Sequence, residues 1–246
     1  MGSADLHVHT TYSWDGTCTV QGVLKQASQI AGLDVIAITD HDVIEGAYRA
    51  REIASKYNID VVVGMEVTSL DGHILCLFLQ HAVPAGLTLE DTVRLVGEQG
   101  GVCIAAHPTA RGVSSISEIR LAQALQYPEV AAVLVGLETF NAGLVYQKSN
   151  RVAHGLAKRY HLAGTGNSDA HVSWMIGMGA SLFPGKTAAE LKQSLIMRQT
   201  REIYAGKPSS FHCVCSWLAR YSLRKLGWVT SNHAPQFPLI TSRLAN

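Results

Sequence analysis

The stretch Asp5-Leu6-His7-Val8-His9-Thr10-Thr11-Tyr12-Ser13-Trp14-Asp15-Gly16 holds two histidines two positions apart and a carboxylate six positions after the second. If this stretch begins as a β-strand, the two-residue period of a strand places His7 and His9 on the same face. Two imidazoles side by side supply half of a typical transition-metal site. The stretch therefore predicts a metal centre, provided that other segments bring further ligands to the same end of the strand.

The bulk composition is compatible with one globular domain. The 246 residues are 47% hydrophobic, which is enough for one large core. A formal net charge of +1 selects no partner by itself. No apolar run approaches the roughly 18 residues of a transmembrane helix, and we expect no secretory leader. The five cysteines contain no C-x-x-C pair, which favours a reducing compartment, so we expect a cytoplasmic protein.

Short apolar strands alternate with amphipathic helices along the chain. We predict strands at residues 4–9, 34–39, 59–63, 102–106, 130–137, 161–166 and 201–204. The turn signal Asp71-Gly72 predicts a hairpin that adds an antiparallel strand over 73–79. We predict the main helices at residues 20–31, 43–57, 89–99, 143–159, 187–198 and 216–226, with another ending before Pro128. About seven strand–helix units with right-handed crossovers favour a closed barrel over an open sheet.

Histidines and acidic residues recur where these predicted strands end. In such barrels the carboxyl ends of the strands form the active-site face. The polar residues at these positions are His7, His9, Asp15, Asp40, His41, Asp42, Glu66, His73, His107, Glu138, Asp169 and His171. Any one of these histidines alone would more often be structural. Six of the eleven histidines at one barrel face instead predict a site for zinc, manganese or iron, which bind imidazole and carboxylate.

The order of the motifs makes the pattern more specific. H-x-H, S-x-D-G, T-D-H-D, G-M-E, a hairpin histidine, A-H-P and N-S-D-A-H follow one another between His7 and His171. This series resembles the PHP family (polymerase and histidinol phosphatase), whereas H-x-H alone also occurs in amidohydrolases. The resemblance implies an α/β fold, a distorted (β/α)7 TIM-like barrel as a single domain over residues 1–206. A short basic helical or irregular tail would follow over residues 207–246.

The resemblance also implies a trinuclear metal centre. The first ion would be held by His7, His9, Glu66 and Asp169. Glu66 would bridge to a second ion, whose other ligands would be His73 and His107. The third ion would be held by Asp15, His41 and His171. The implied cofactors are therefore two to three divalent ions, and this nitrogen and oxygen donor set suits Zn, Mn or Fe alike.

The implied activity is that of a metal-dependent phosphoric ester hydrolase acting on a small phosphorylated metabolite or a nucleotide. Clustered cations neutralise phosphate oxygens and lower the pKa of a bound water to about 7, so we expect metal-bound hydroxide as the nucleophile. No catalytic side chain is expected beyond the metal centre. The alternatives are a nuclease or proofreading 3′–5′ exonuclease, a histidinol-phosphatase-like enzyme and, in another class, a non-catalytic regulatory barrel. A non-catalytic barrel would be expected to lack some of the metal ligands, whereas all nine ligand positions are occupied here by suitable residues.

Five further residues are candidates around this centre. Arg111, four residues past His107, is a candidate clamp for a phosphate oxygen, because a guanidinium presents a fixed fork of donors. Asn141 is the second candidate for substrate binding. The remaining three, expected to orient ligands rather than bind metal, are Asp40, Asp42 and Glu138.

The tail has a composition of its own. From Ile203 onward the chain contains no Asp or Glu, and basic residues alternate with aromatic ones. Such a composition occurs in segments that bind nucleic acid or anionic membranes, so nucleic acid stays open as a partner. We favour the simpler interpretation, a helix that packs across the bottom of the barrel. The oligomeric state does not follow from the sequence.

Overall fold

Nine short strands form one sheet in the part of the chain that the computed structural model describes, residues 1–144, 148–204 and 210–227. They are β1 (Gly2–Asp5), β2 (Val35–Ile38), β3 (Asp60–Ser69), β4 (Gly72–Leu77), β5 (Val102–Ala105), β6 (Leu134–Asn141), β7 (Ala163–Asn167), β8 (Gly179–Phe183) and β9 (Arg201–Tyr204). Their order across the sheet is β7-β6-β5-β4-β3-β2-β1-β8-β9. The two sides of the sheet meet where the Gly166 amide of β7 donates to Ser181 Oγ of β8 at 3.1 Å. The sheet is therefore a nearly closed barrel, which confirms the predicted α/β TIM-like fold.

Parallel and antiparallel pairs both occur in the barrel. β1, β2 and β3 are parallel neighbours, as are β5, β6 and β7. The predicted hairpin joins β3 to β4, and β4 is antiparallel to β5 as well. Gly72 turns the hairpin with φ of +133°, and a Cβ there would lie 2.4 Å from the Ile116 nitrogen, so the turn requires glycine. β8 is antiparallel to both β1 and β9.

The helices connect the strands and cover the outside of the barrel. They are α1 (Val20–Lys25), α2 (Glu45–Ile53), α3 (Leu89–Glu98), α4 (Glu118–Ala124), α5 (Pro128–Val133), α6 (Lys148–Tyr160), α7 (Ala188–Ile196) and α8 (Ser210–Lys225). A π-helical turn at Gln26–Ile30 extends α1, and 3-10 turns occur at Ala54–Tyr57 and Ser173–Met175. Thr187 and Glu190 form the predicted capping box of α7, which satisfies backbone groups that the first turn leaves free.

Alternate strand residues pack on opposite sides of the sheet. In β2, Ile36 and Ile38 belong to the large apolar cluster shared with the outer helices, whereas Val35 and Ala37 belong to a second cluster inside the barrel. All four side chains are fully buried. The near-continuous apolar sequence of this strand is therefore explained by burial on both faces.

Helix α7 covers the amino-terminal end of the barrel. Leu191 and Leu195 belong to the interior cluster. The Ala188 amide at the start of α7 donates to Asp60 Oδ2 at the start of β3, at 2.9 Å. α7 thus closes the amino-terminal end of the barrel, and the carboxyl ends of the parallel strands lie at the opposite end.

Two elements of the barrel differ from the sequence prediction. Residues 130–133 were expected to begin a strand, but Pro128 starts α5 at that point and β6 begins at Leu134. A short apolar run is compatible with either structure, and proline at the first helical position favours the helix. β8, Gly179–Phe183, was not predicted, because a strand of five residues next to glycine-rich turns has no clear periodicity.

Helix α8 lies at the opposite end of the barrel from α7. Trp217 Nε1 donates to the backbone oxygen of Asp15 at 2.9 Å, so α8 contacts the loop that follows β1. The expected position across the barrel bottom is therefore wrong, since α7 already occupies that end. Within the predicted tail, residues 207–209 and 228–246 lie outside the described residues. None of the helices described is both long enough and apolar enough to cross a bilayer.

Candidate metal centre

The chain leaves β1 at Asp5 and continues along the open end of the barrel, so His7 and His9 lie just beyond the strand. A parallel bridge between Val8 and Ala170 fixes this segment beside the residues that follow β7. Both histidine side chains are fully buried, and their ring centroids are 5.1 Å apart. The predicted pair of neighbouring imidazoles is present, although the strand ends earlier than expected.

Glu66 of β3 lies at the middle of the cluster, and its carboxylate is buried. Its Oε2 atom lies 3.0–3.3 Å from ring nitrogens of His7, His9 and His41. Its Oε1 atom lies 2.9–3.1 Å from ring nitrogens of His73 and His107. One carboxylate thus faces five imidazoles, and each oxygen faces a different set. The two oxygens could therefore each bind a different metal ion, as the predicted bridging role requires.

Asp169 and Asp15 complete the cluster on either side of His9 and His171. Asp169 Oδ1 lies 3.3 Å from His9 Nε2 and 3.4 Å from His7 Nε2. Asp15 Oδ2 lies 2.9 Å from His171 Nε2, with His41 Nε2 at 3.5 Å. The rings of His9 and His171 are stacked, with centroids 4.2 Å apart.

All nine residues predicted as ligands therefore meet at one place. Their donor atoms form overlapping groups in which every atom lies within 4.8 Å of the others. These groups are His9-Asp15-His41-His171, His7-His9-Glu66, His7-His107-Asp169 and His41-Glu66-His73. The overlap is wider than the resemblance implies, since it shared only Glu66 between two ions, whereas His7, His9 and His41 also belong to two groups each. A cluster with shared members suits ions that lie a few ångströms apart.

The surroundings of two buried ring nitrogens indicate that the cluster suits metal ions. His9 Nε2 and His73 Nδ1 are buried and have no hydrogen-bond partner among the described residues. Both lie within 3.3 Å of carboxylate oxygens, but without the alignment of a hydrogen bond. Buried polar atoms are rarely left unpaired, because their desolvation costs free energy. Imidazole lone pairs directed into a group of carboxylates are the donors that a divalent ion requires, so the residues fit such ions.

The pKa values show that the cluster favours positive charge. Burial alone would lower the pKa of His9, but the Asp169 and Glu66 carboxylates raise it to about 10. Burial opposes the shift at His7 too, yet the neighbouring carboxylates, Asp169 first, raise its pKa well above the usual value. The converse holds for Glu66. Burial alone would raise the pKa of Glu66, but His7, His107 and His73 hold it well below its usual range. Divalent ions would supply the positive charge that protons otherwise provide.

Glu138 of β6 contacts two residues of the cluster. Its Oε1 atom lies 3.0 Å from His7 Nδ1, and its Oε2 accepts the backbone N–H of His107 at 2.7 Å. The side-chain amide of Asn167 donates to Glu138 Oε1 at 2.9 Å. The carboxylate therefore orients two predicted ligands, as expected. Asn167 was not predicted to have this role, although it opens the N-S-D-A-H motif.

Asn141 has a different position from the predicted one. Its side chain is fully buried, and Nδ2 donates to Glu138 Oε2 at 2.8 Å and to Asp169 Oδ2 at 3.0 Å. Oδ1 accepts the backbone N–H groups of Gly143 and Leu144. Because both ends of the amide are engaged within the protein, Asn141 positions Asp169 and is not open to substrate.

Asp40 and Asp42 shape the backbone around the cluster. Asp40 is buried and accepts the backbone N–H groups of Thr10 and Ser13, at 2.6 and 3.2 Å. Burial raises the pKa of Asp40. Asp42 is exposed, and its Oδ1 accepts the Thr68 amide at 2.7 Å. The hydrogen bonds described for these two carboxylates run to loop residues and not to predicted ligand side chains, so both aspartates fix loops around the cluster.

Ser13 was not singled out in the sequence, yet it contacts the cluster. Its Oγ donates to Asp15 Oδ1 at 2.8 Å and lies 3.4 Å from His9 Nδ1. The same oxygen accepts the His41 amide at 3.2 Å. The serine of the S-x-D-G motif therefore connects residues from two segments, which explains why that motif carries a serine.

Several residues at this end of the barrel have a positive φ, as do others elsewhere in the described chain. His107, Thr109 and Asp169 have φ of +30°, +61° and +51°, a region that residues other than glycine rarely adopt. Such conformations cost about 1–3 kcal/mol each and persist where the surroundings determine them. Here two of the three are predicted ligands, which is consistent with a functional site.

Arg111 and α8 border the open side of the cluster. Arg111 is exposed, and it lines a cavity of about 530 Å³ together with Asp15, Asp169 and His171. Arg224 of α8 donates to the backbone oxygens of Thr11, Ser13 and Gly16, and so holds the loop that carries Asp15. No sequence motif indicated this contact, because its partners are main-chain atoms far away in the chain.

Comparison with known proteins shows which protein family these motifs belong to. A family model described as the PHP domain matches residues 5–176, more than half of the chain. An uncharacterized protein of Methanocaldococcus jannaschii is 38% identical over 115 residues, which are 43% of this chain and 67% of that protein. The phosphoribosyl 1,2-cyclic phosphate 1,2-diphosphodiesterase of Eggerthella lenta is 41% identical over 97 residues, 35% of this chain and 36% of that enzyme.

Among solved structures, the fold is shared with a two-domain protein of Bacteroides vulgatus that contains a predicted PHP-like metal-dependent phosphoesterase. The TM-score is 0.67 at 21% sequence identity. The match covers 82% of this chain and 64% of that one. The chain thus spans about two thirds of this neighbour and about a third of the Eggerthella enzyme.

Proposed function

The chain belongs to the PHP domain family, and on that basis we propose that it hydrolyses a phosphate ester of a small metabolite or nucleotide with divalent metal ions. The observation that carries the proposal is the Glu66 carboxylate, buried and faced by five imidazoles. Such a cluster without ions would combine buried carboxylates with unpaired ring nitrogens, an arrangement that has no structural advantage.

We assign the ligands to a centre of up to three ions. Glu66 would bridge two of them. His7, His9 and Asp169 would share the first, and His73 and His107 would complete the second. Asp15, His41 and His171 would hold the third. The donors are nitrogen and oxygen only, so zinc, manganese and iron are the candidate metals.

Bound divalent ions supply two effects in such a site: they neutralise phosphate oxygens and lower the pKa of water to about 7. The protein supplies orientation. Because Glu138 lies against His7 Nδ1, that nitrogen would keep its proton when ions are bound, and Nε2, which faces Glu66, would be the atom that binds an ion. The exposed Arg111 guanidinium, on the cavity that Asp15 and Asp169 also line, is placed to bind a phosphate oxygen. No side chain is proposed as a covalent nucleophile.

The relatives support this reaction class. The Eggerthella enzyme, by its name, cleaves a cyclic phosphodiester of a phosphorylated sugar, and the Bacteroides neighbour is named as a metal-dependent phosphoesterase. Both names describe enzymes that cleave a phosphate ester bond. We propose the same class of bond for this chain, and we leave the identity of the ester to experiment.

The test begins with the metal content of the purified protein, measured by mass spectrometry. The metal-free protein is then reloaded with Zn, Mn or Fe and assayed against phosphate monoesters, cyclic diesters and short oligonucleotides. We expect metal-dependent hydrolysis of a small ester, abolished together with metal binding by Asp169→Asn. Stoichiometric metal with cleavage of oligonucleotides alone would replace this proposal by a nuclease. A folded protein that binds no metal would overturn both.

A further inference from the structure

The cavity beside the candidate metal centre is lined by two chemically different sets of residues. One set of lining residues consists of Asp15, Asp169 and His171 of the cluster. A second set, called here the apolar wall, consists of apolar side chains from the loops and from α8. These are Val113, Leu144, Val172, Met175, Val214 and Trp217. Arg111 is the only other charged residue among those that line the described cavity.

The size of the cavity exceeds what a phosphate group needs. Its volume is about 530 Å³, within the range of about 300–1,000 Å³ that is typical of sites for whole small molecules. A phosphate bound to the ions and to Arg111 would fill only part of this volume. The apolar wall would then contact the organic group to which the phosphate is attached. A highly polar group placed there would lose hydration without gaining hydrogen bonds.

Trp217 is held in a fixed orientation on the apolar wall. Its Nε1 donates to the Asp15 backbone oxygen at 2.9 Å, and its ring stacks on Tyr221 with centroids 5.0 Å apart. A ring that is already fixed loses little conformational entropy when a ligand packs against it. Because its hydrogen-bond partner is the residue predicted to hold the third ion, the ring lies next to the reacting end of the cavity.

Building on the proposed function, we propose that α8 provides the leaving-group subsite and that Trp217 selects esters whose organic group is an aromatic ring or a similarly flat apolar group. The phosphate end of the substrate faces Asp15, Asp169 and His171, and the ring lies against Trp217. The subsite lies on α8, beyond the residues that match the family model. It would therefore distinguish this chain from relatives without such a helix.

The test compares two phosphate monoesters, phenyl phosphate and glycerol 1-phosphate, on the metal-loaded protein. Trp217→Ala should lower kcat/KM for phenyl phosphate about tenfold, because stacking on an aromatic side chain contributes roughly that factor. The readout is the ratio of the two kcat/KM values, because the loss of the Trp217 N–H contact to Asp15 would affect both esters alike. Leu218→Ala is the matched control, since Leu218 is an exposed apolar residue of the same helix that does not line the cavity.

Trp217→Phe separates stacking from anchoring. It keeps an aromatic ring but removes the N–H group that binds the Asp15 oxygen. We expect it to retain most of the discrimination between the two esters. Metal content measured in every variant reveals any loss of the third ion. Calorimetry supplies a readout without turnover, in which phenylphosphonate should bind the wild type more tightly than methylphosphonate, and Trp217→Ala should remove the difference.

The outcomes separate the inference from the function on which it rests. Metal-dependent hydrolysis of both esters with an equal loss in Trp217→Ala would overturn the subsite and leave the phosphoesterase intact. Equal binding of the two phosphonates by the wild type would do the same. Failure of the metal-loaded protein to hydrolyse any ester would remove the proposed function and the subsite together.

Discussion

Nδ1 of His7 lies 3.0 Å from Oε1 of Glu138, and both side chains are completely buried. This contact fixes the tautomer of His7, so that its other ring nitrogen faces Glu66. The orientation of one predicted ligand thus depends on a carboxylate that is not itself among the predicted ligands.

Replacing Glu138 should weaken metal binding without removing a ligand. In Glu138→Gln we expect metal affinity to fall about 10–100-fold, the usual effect of losing a partner that orients a ligand histidine. Competition with a chelator measures the affinity. Glu202→Gln is a matched control, because Glu202 binds His154 Nδ1 at 2.6 Å far from the cluster. Equal affinities in Glu138→Gln and wild type would show that His7 needs no such partner.

Replacing Glu66 should have a larger effect. Glu66→Gln keeps the shape of the side chain but removes the charge that faces five imidazoles. We expect the loss of at least one ion per chain, and a loss of activity larger than the roughly 10–100-fold effect of an orienting residue. Metal analysis by mass spectrometry gives the stoichiometry. Full metal content in a folded Glu66→Gln protein would be incompatible with a bridging carboxylate.

Removing the metal should lower the thermal stability. An ion at about 100 times its dissociation constant stabilises the native state by about 2.7 kcal/mol. For a domain of this size, each kcal/mol shifts Tm by about 2–4 °C, so chelation should lower Tm by roughly 5–10 °C. Calorimetry with and without EDTA measures the shift. The Glu66→Gln protein should respond much less, and an equal response in both would place the stabilising ion elsewhere.

A second prediction of stability concerns the hairpin between β3 and β4. Arg120 of α4 donates to both oxygens of Asp71, at 2.8 and 3.0 Å, and also to Glu90 of α3 at 2.9 Å. All three side chains are less than a third exposed. Asp71→Asn should cost about 1–2 kcal/mol in urea unfolding. Glu129→Gln, which breaks an exposed pair with Arg94, should cost less than about 0.5 kcal/mol.

The same pair predicts a dependence on pH. Its hydrogen bonds with Arg120 lower the pKa of Asp71 below the value of 3.8 expected in the unfolded chain. The stabilisation is therefore complete above that value and is lost as the pH falls through the lower native pKa. The difference in unfolding free energy between wild type and Asp71→Asn should shrink under strongly acidic conditions. Urea unfolding of metal-free protein at neutral and acidic pH measures this difference. A gap that stays constant would contradict the pairing.

The attachment of α8 can be tested at Arg224. Arg224→Ala removes hydrogen bonds to the oxygens of Thr11, Ser13 and Gly16, so α8 should open more often. Hydrogen exchange of the α8 amides should accelerate about 10–100-fold, corresponding to about 1.5–3 kcal/mol for bonds from a charged donor. Lys225→Ala is the control, since the Lys225 ammonium lies over the Tyr221 ring of the same helix. Protection unchanged in Arg224→Ala would show that other contacts hold α8.

Much of the site could be predicted because its residues follow strand ends. Glu66, His107 and Asp169 come from separate segments, yet each lies at or just after a short apolar run. The fold of such runs is decided locally, and the barrel then brings their carboxyl ends together. The structure confirms that the nine residues meet. That they hold metal ions stays a prediction.

The errors concern residues whose roles depend on distant partners. Asn141 was expected to bind substrate, but its position next to Glu138 and Asp169 occupies its amide. The place of α8 depends on Trp217 and Arg224 meeting backbone oxygens of another segment. Main-chain oxygens are present in every residue, so no sequence pattern identifies them as partners.

The bonds from α8 to the loop after β1 connect residues 202–213 positions apart in the chain. Closing so long a loop costs much conformational entropy. This cost is small once the intervening barrel has folded and brought the two segments together. During synthesis, all nine ligand positions precede α8. The ligand residues are therefore synthesised before Trp217. If the barrel folds at that stage and the predicted ligands take up ions, α8 would complete the cavity around a centre that already holds its metal.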